Sequence, residues 1–405
     1  MKRHWQIDCD FKLNIYLDIT GKLANGYHSL DSLFVRVPGG DRLDLDLVYA
    51  DQILSPEMLD VALKLDYANF SLELENSYDL SKQLVLSEST FRRLKAELAD
   101  NLLVRAWRYL RTLLVLSLAK ICYANDYQSL VANLRKAQMA SVERLCALFR
   151  DLPASLLEQY LAALCLGKWS FSLQKRVPVQ SGLGAGSFDA AAVWQVAYRV
   201  LNDMAKSQSN LPFDLKTFIA CFDLSDIAYN LGADIPFALQ TECQSALVKG
   251  IGEDIQILSN VKPFHILLVK PNVAVSSKAA FLACDQLELK YSNYKLANLQ
   301  SEPELARQCW KECNLTSLAK YAKNSFYELA CLQGSELLEF NNQLRQLVTA
   351  DFMSMSGSGS TFFLLFKDKV ACDMACTKLL KLVDKSRECG ENSEFAWLLS
   401  AQLSN

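Results

Sequence analysis

Residues 178–192 read Pro-Val-Gln-Ser-Gly-Leu-Gly-Ala-Gly-Ser-Phe-Asp-Ala-Ala-Ala. Three glycines stand at alternate positions, Gly182, Gly184 and Gly186, and the alanine-rich stretch behind them reads as a helix. Glycine admits positive φ and lets backbone come close to a ligand. A helix that starts directly after such a run presents unpaired N–H groups and its positive dipole end to an anion. The sequence therefore predicts a phosphate loop. No Gly-Lys-Ser/Thr closes it as a Walker A motif, and the glycine spacing is not that of the dinucleotide fingerprint. Taken alone, the run is also compatible with an ordinary glycine-rich turn before a helix.

The chain has 405 residues, enough for two or three domains. It is 51% hydrophobic and 21% charged, in the class of soluble globular proteins. A net charge of −3 argues against general affinity for nucleic acid or membranes. The first ten residues carry no apolar core of a secretory signal. The apolar stretch Leu102 to Ala124 is broken by Arg105, Arg108, Arg111 and Lys120, too much charge for a membrane span. Thirteen cysteines without a Cys-x-x-Cys, beside only three histidines, argue against a zinc site and for reduced thiols in the cytoplasm.

Period-two patterns at Phe11–Leu17, Leu33–Val37 and Leu43–Leu47 predict antiparallel strands. A strand is expected near Phe70–Leu74 and a helix near Ser89–Leu98, then helices over 101–165. The strand Trp169–Leu173 leads into the glycine-rich loop. Helices follow over 188–203 and 213–230, strands over 244–258 and 264–270, and helices over about 290–350. A second small-residue loop, Ser354 to Thr361, precedes the strand Phe362–Phe366, a helix over 369–384 and a short tail. This order predicts an α+β fold with two lobes, divided near 260 into segments 1–260 and 261–405.

Six further blocks accompany the loop: Lys12-Leu-Asn14 with Gly26-Tyr27-His28, Asn101-Leu-Leu-Val-Arg105-Ala106, Gly232-Ala-Asp234-Ile-Pro236, Gly250-Ile-Gly252-Glu253, Pro271-Asn-Val-Ala-Val-Ser276-Ser277 and Ser356-Gly357-Ser-Gly359-Ser360. In this order they resemble the GHMP kinases, a family of small-molecule kinases. The resemblance implies a two-lobed fold. Its first lobe would be like domain 2 of ribosomal protein S5 and its second ferredoxin-like. Here mostly helical insertions would lie at about 50–100 and 110–165. It implies ATP and Mg²⁺ as cofactors. Pro178, Val179, Gln180, Ser181, Gly182, Leu183, Gly184, Ala185, Gly186, Ser187 and Phe188 would hold the nucleotide, and the Ser187 hydroxyl would reach a phosphate or the metal.

The blocks around Gly26-Tyr27-His28 resemble the branch of the family that phosphorylates the 2-hydroxyl of 4-diphosphocytidyl-2-C-methyl-D-erythritol in non-mevalonate isoprenoid synthesis. That resemblance implies Asp234 as general base and Lys12 as its partner, steadying the carboxylate and polarising the hydroxyl or the transferred phosphoryl. Tyr27 would stack on the cytosine and His28 would hydrogen-bond to it, with Phe281 as the opposite stacking face and Asn14 as a further substrate contact. A cytoplasmic monomer or homodimer is implied, with no nucleic-acid or membrane partner. Four positions depart from the family pattern. Ala185 replaces a glycine, Phe188 a serine and Ser277 a threonine, and Asn324-Ser325-Phe326 lacks a frequent carboxylate. Two other readings stay open here: another kinase of the family, of homoserine or mevalonate type, and a member that binds nucleotide without turnover.

Overall fold

The structure is a computed structural model of the chain, and it describes residues 2–24, 26–48, 62–66, 71–74, 101–107, 168–207, 231–258, 263–287, 296–388 and 395–403. The chain forms two compact units, each assembled from separate stretches. One takes Met1–Cys9, Asp41–Arg176 and Gly186–Ile235; the other takes Asp10–Gly40, Val177–Ala185 and Pro236–Asn405. The helices expected over 89–98 and 213–230, and the insertion expected over 110–165, lie outside the described residues.

The first unit holds a five-stranded sheet. Its strands are β1 (Lys2–Asp8), β4 (Arg42–Val48), β5 (Ala62–Asp66), β6 (Ser71–Leu74) and β7 (Lys168–Gln174), in the order β1-β4-β7-β5-β6. Only β5 and β7 run parallel. The Leu-Asp alternation of β4 works as its period demands. Leu43, Leu45 and Leu47 are fully buried, while Asp44 accepts from Gln6 at 2.8 Å and Asp46 meets His4 at 2.9 Å. Strand β1 is not among the strands the sequence predicts, because only Trp5 and Ile7 mark its inner face. The glycine-rich loop leaves β7 and feeds α1 (Ala185–Ser207), which buries Ala190, Val193, Trp194, Ala197 and Val200. Trp194 donates from its indole to Ala106 O at 2.7 Å and so anchors the helical turn 102–107. That turn begins where expected, with Asn101 Oδ1 accepting from Leu103 N at 2.9 Å.

The second unit has two sheets. One is antiparallel: β2 (Phe11–Lys22), β3 (His28–Val37), β8 (Ser245–Gly250) and β9 (Asp254–Leu258). The other contains β10 (His265–Pro271), β11 (Phe352–Met355), β12 (Phe362–Phe366) and β13 (Phe395–Gln402), in the order β11-β12-β10-β13 and antiparallel throughout. Helices α3 (Ser277–Asp285), α4 (Pro303–Lys311), α5 (Leu315–Tyr321), α6 (Ser325–Leu332) and α7 (Glu336–Leu347) separate β10 from β11, and α8 (Lys369–Glu388) separates β12 from β13. A β-α-β-β-α-β succession with this strand order is the ferredoxin-like arrangement. Strand β10 is covered on both faces, so its apolar run shows no alternation. Ile266 and Leu268 join a core with Phe11, Leu13, Val35 and Phe363. Leu267 and Val269 join another with Phe326, Phe340, Leu364 and Leu379.

Two features differ from the sequence reading. The closing tail contains β13, whose partner β10 lies about 130 residues earlier, beyond the reach of local pattern. The compact units also cross the division expected near 260, because β2 and β3, joined to β8 through β3, share a core with β10 and β12.

Candidate active site

The glycine-rich loop alternates in burial. Ser181, Leu183 and Ala185 point inward, while Gly182, Gly184 and Gly186 stay partly exposed. Positive φ occurs at Gln180 (53°), Gly182 (76°) and Gly184 (65°). Leu183 O accepts from Lys12 N at 2.9 Å, and Ser181 O accepts from Thr361 N at 3.3 Å. The loop is therefore hung between β2 and the segment 355–361. Gly182 is obligatory for a reason the motif does not reveal. A Cβ there would lie 2.1 Å from Ser356 O, and one on Gly357 would lie 2.6 Å from Gly182 O. These two glycines let two loops interlock. At Gly186 an added Cβ would make ordinary van der Waals contact with Leu102 Cδ2 at 3.9 Å, so sterics do not demand a glycine there.

The departures Ala185 and Phe188 are accounted for by packing. The Ala185 methyl lies in the apolar core with Val177 and Leu183. Phe188 is 4% exposed, so its N–H rather than its ring is what it could offer a ligand. Pro178 is partly exposed, and Val179 and Gln180 are exposed. Ser187 sits in the first turn of α1, and an added Cβ on Gly232 would stand 3.7 Å from its Oγ. The segment 232–234 thus lies beside this turn. Asp234, partly buried, directly precedes the short helix α2 (Ile235–Leu239).

Two residues beyond Ser187 in α1, Asp189 is buried. Lys175 Nζ contacts Asp41 and reaches Asp189 Oδ2 at 3.3 Å, while Arg176 N donates to Asp41 Oδ1 at 2.7 Å. Burial pushes the Asp189 carboxyl up. Burial alone would lower Lys175, but the two carboxylates hold it above the usual lysine range. This group ties the loop's entry to the start of α1.

Strand β2 carries polar side chains into the interior. Lys12 is 4% exposed and Asn14 fully buried. Lys12 Nζ donates to Asn14 Oδ1 at 2.6 Å and lies 5.0 Å from the Phe34 ring centre. Asn14 Oδ1 also accepts from Gly357 N at 2.8 Å, and Asn14 Nδ2 donates to Ser32 Oγ at 3.0 Å. Ser356 Oγ donates to Gly182 O at 3.0 Å. Asn324 completes the set. It caps α6 by accepting from Phe326 N and Tyr327 N, and its amide donates to Met355 O at 2.8 Å and Gly357 O at 2.9 Å. Lys12, Asn14 and the loops 178–185 and 355–361 are thus gathered by the structure.

The far end of the β2–β3 hairpin holds a second group. His28 stacks on Phe281, with ring centres 4.8 Å apart and planes 22° apart. Its Nε2 meets Asp285 Oδ1 at 2.7 Å, and Lys22 Nζ donates to Asp285 Oδ2 at 2.6 Å. Tyr27 is 63% exposed. Phe281 is also met edge-on by Phe326 at 4.9 Å. One Phe281 face is therefore engaged by His28, where the sequence reading expects it to face Tyr27 across a ligand.

Sequence reasoning does not single out Asn324 as more than a departure, nor Lys175, Asp41, Asp189 and Asp285. Only Asn324 had a legible signal, as an Asn at the start of a helix. The others depend on pairings more than a dozen residues apart.

No family model matches the chain. A curated relative from Clostridium botulinum (strain Loch Maree / Type A3), named 4-diphosphocytidyl-2-C-methyl-D-erythritol kinase, is 31% identical over 198 residues, 48% of this chain and 61% of the relative. One of the same name from Acetivibrio thermocellus is 33% identical over 201 residues, 49% of this chain and 62% of the relative. The match thus spans about three fifths of these relatives' own length. A crystal structure of 4-(cytidine 5'-diphospho)-2C-methyl-D-erythritol kinase superimposes over 100% of both chains with a TM-score of 0.52 at 19% identity. The chain therefore has the α+β fold of the GHMP kinases, and its sequence is similar to the 4-diphosphocytidyl-2-C-methyl-D-erythritol kinases.

Proposed function

We propose that this chain is an ATP-dependent kinase that phosphorylates the 2-hydroxyl of 4-diphosphocytidyl-2-C-methyl-D-erythritol, in non-mevalonate isoprenoid synthesis. The observation that carries this reading is the loop 178–188. Its three glycines stay partly exposed, the alternating Ser181, Leu183 and Ala185 are buried, and it runs into the first turn of a long helix. Phosphoryl transfer needs positioning and charge neutralisation more than covalent chemistry. Backbone N–H groups of residues 182–188 cradle the triphosphate. Among the described residues no group of three or more His, Cys, Asp or Glu could hold a metal ion. Mg²⁺ would come with the nucleotide and take most of its ligands from phosphate and water. Ser187 would add its hydroxyl, and the ion would spread the charge of the transferred group.

Asp234 takes the proton of the attacking hydroxyl. Lys12 steadies the developing charge, and Asn14 orients the Lys12 ammonium through the 2.6 Å bond. Tyr27, His28 and Phe281 receive the cytosine. The enzyme is proposed as a cytoplasmic monomer or homodimer. The buried positions of Ala185 and Phe188 weigh against a non-catalytic member, since both side chains pack inward while the neighbouring glycines stay partly exposed.

The test is ADP release from Mg-ATP with and without 4-diphosphocytidyl-2-C-methyl-D-erythritol, beside Asp234→Asn. Substrate-dependent release is expected, falling roughly 10²–10⁴-fold in the variant. Release with homoserine or mevalonate instead would move the chain to another branch. Silence with all three would overturn the kinase reading.

A further inference from the structure

The hairpin end of β2–β3 and helix α3 build a device that the roles above do not use. Lys22 closes β2 and His28 opens β3, and the two are paired across the ladder. Phe281 and Asp285 stand four residues apart on α3, so they share one helical face. Both meet the hairpin. Phe281 lies flat on the imidazole and Asp285 accepts at its Nε2. The His28 side chain is only 8% exposed, although it belongs to the hairpin's tip. The imidazole is thus fixed in plane by a ring and in rotation by a carboxylate.

A carboxylate at Nε2 requires a proton on that nitrogen. The other oxygen of Asp285 is taken by the Lys22 ammonium at 2.6 Å. In the neutral imidazole this contact puts the proton on Nε2 and leaves a lone pair on Nδ1. Nδ1 has no hydrogen-bond partner among the described residues.

We infer that Asp285, held by Lys22, is a specificity-positioning residue. It locks His28 in the tautomer whose Nδ1 accepts a hydrogen bond, so the site takes a pyrimidine with an exocyclic amine and rejects one with a carbonyl there. This inference rests on the proposed function, since it assumes that His28 meets a nucleobase. A carbonyl facing the Nδ1 lone pair would set two acceptors against each other, and such unpaired contacts discriminate strongly.

Two measurements on the full chain test it. Nitrogen-15 NMR of the imidazoles, with His28 assigned against His4 and His265 by substitution, reads the tautomer without turnover. The wild type should show the Nε2–H form at neutral pH, and Asp285→Ala should lose it. Kinetics with the cytidine substrate and its uridine counterpart read the consequence. Asp285→Ala should raise KM for the cytidine substrate about tenfold, with kcat and KM for ATP nearly unchanged, and narrow the preference over uridine by a similar factor. Asp285→Asn, whose Oδ1 still accepts, should restore much of that preference and guards against a folding defect. An Nδ1–H or doubly protonated ring in the wild type would overturn the inference, as would unchanged discrimination in Asp285→Ala. The expected tautomer in a wild type that prefers no cytidine would instead overturn the proposed function, and the specificity role with it.

Discussion

The two ends of the β2–β3 hairpin hold polar side chains in opposite ways. At the start of β2, Lys12 and Asn14 are buried among backbone groups of two loops, and Gly182 and Gly357 interlock with no room for a single added carbon. At its end, Lys22, His28 and Asp285 hold one another by side-chain contacts near the surface. The first arrangement is over-determined, because several backbone segments would have to move together to change it. The second depends on a few torsions and can adapt to a ligand. Rigidity therefore sits where charge must be positioned, and adaptability where a base must be admitted.

The most severe way to break this contrast is Gly182→Ala. It adds a Cβ 2.1 Å from Ser356 O at a φ of 76°. A stability loss of roughly 3–5 kcal/mol is expected in urea unfolding. A loss below about 1 kcal/mol would show that the interlock yields easily. Asn14→Ala comes next. It strips partners from Lys12 Nζ, Gly357 N and Ser32 Oγ, all buried. A loss of about 2–4 kcal/mol is expected, together with a marked fall in kcat.

Asp18, midway along β2, sharpens the comparison in the other direction. It is 2% exposed and accepts from Ser301 N and Oγ, both at 2.8 Å. Burial nevertheless pushes its carboxyl up to about 6 from an ordinary 3.8. The folded state thus binds this proton more tightly than the unfolded chain does. The group's contribution is most favourable below about pH 4 and is lost as pH rises through 4 to 6. Asp18→Asn keeps an acceptor for Ser301 without the buried charge. It should stabilise the protein by about 1–3 kcal/mol at pH 7.5 and by nearly nothing at pH 4. Equal gains at both pH values would contradict the assignment. The smallest structural effect belongs to Tyr27→Ala. Stability should stay within about 0.5 kcal/mol because the ring is exposed, while KM for the cytidine substrate rises about tenfold.

The same contrast explains what could be read from the chain. The loop 178–188 was legible in its glycines before a helix, while Lys12 and Asn14, polar residues in an alternating strand, drew meaning only from the resemblance of the blocks around them. The reason for Gly182 was not legible, since its obstacle, Ser356, lies 174 residues away. His28 and Phe281 carried a signal only through the blocks around them. Asp285 carried none, because an aspartate at a helix end is commonplace until the hairpin is seen opposite it. Strand β13 was missed for a similar reason. Its apolar run gains meaning only beside β10.

The interleaving of the two units bears on how the chain reaches this structure. The β2–β3 hairpin is synthesised early, but its sheet partner β8 begins at Ser245 and the second sheet is completed only by β13. More than two hundred residues of other chain must emerge before the hairpin can bury Leu13 and Val35 beside Ile266. Contacts so distant in sequence slow folding and lengthen the exposure of apolar strands. A nascent chain halted before β10 would display that hairpin without its core.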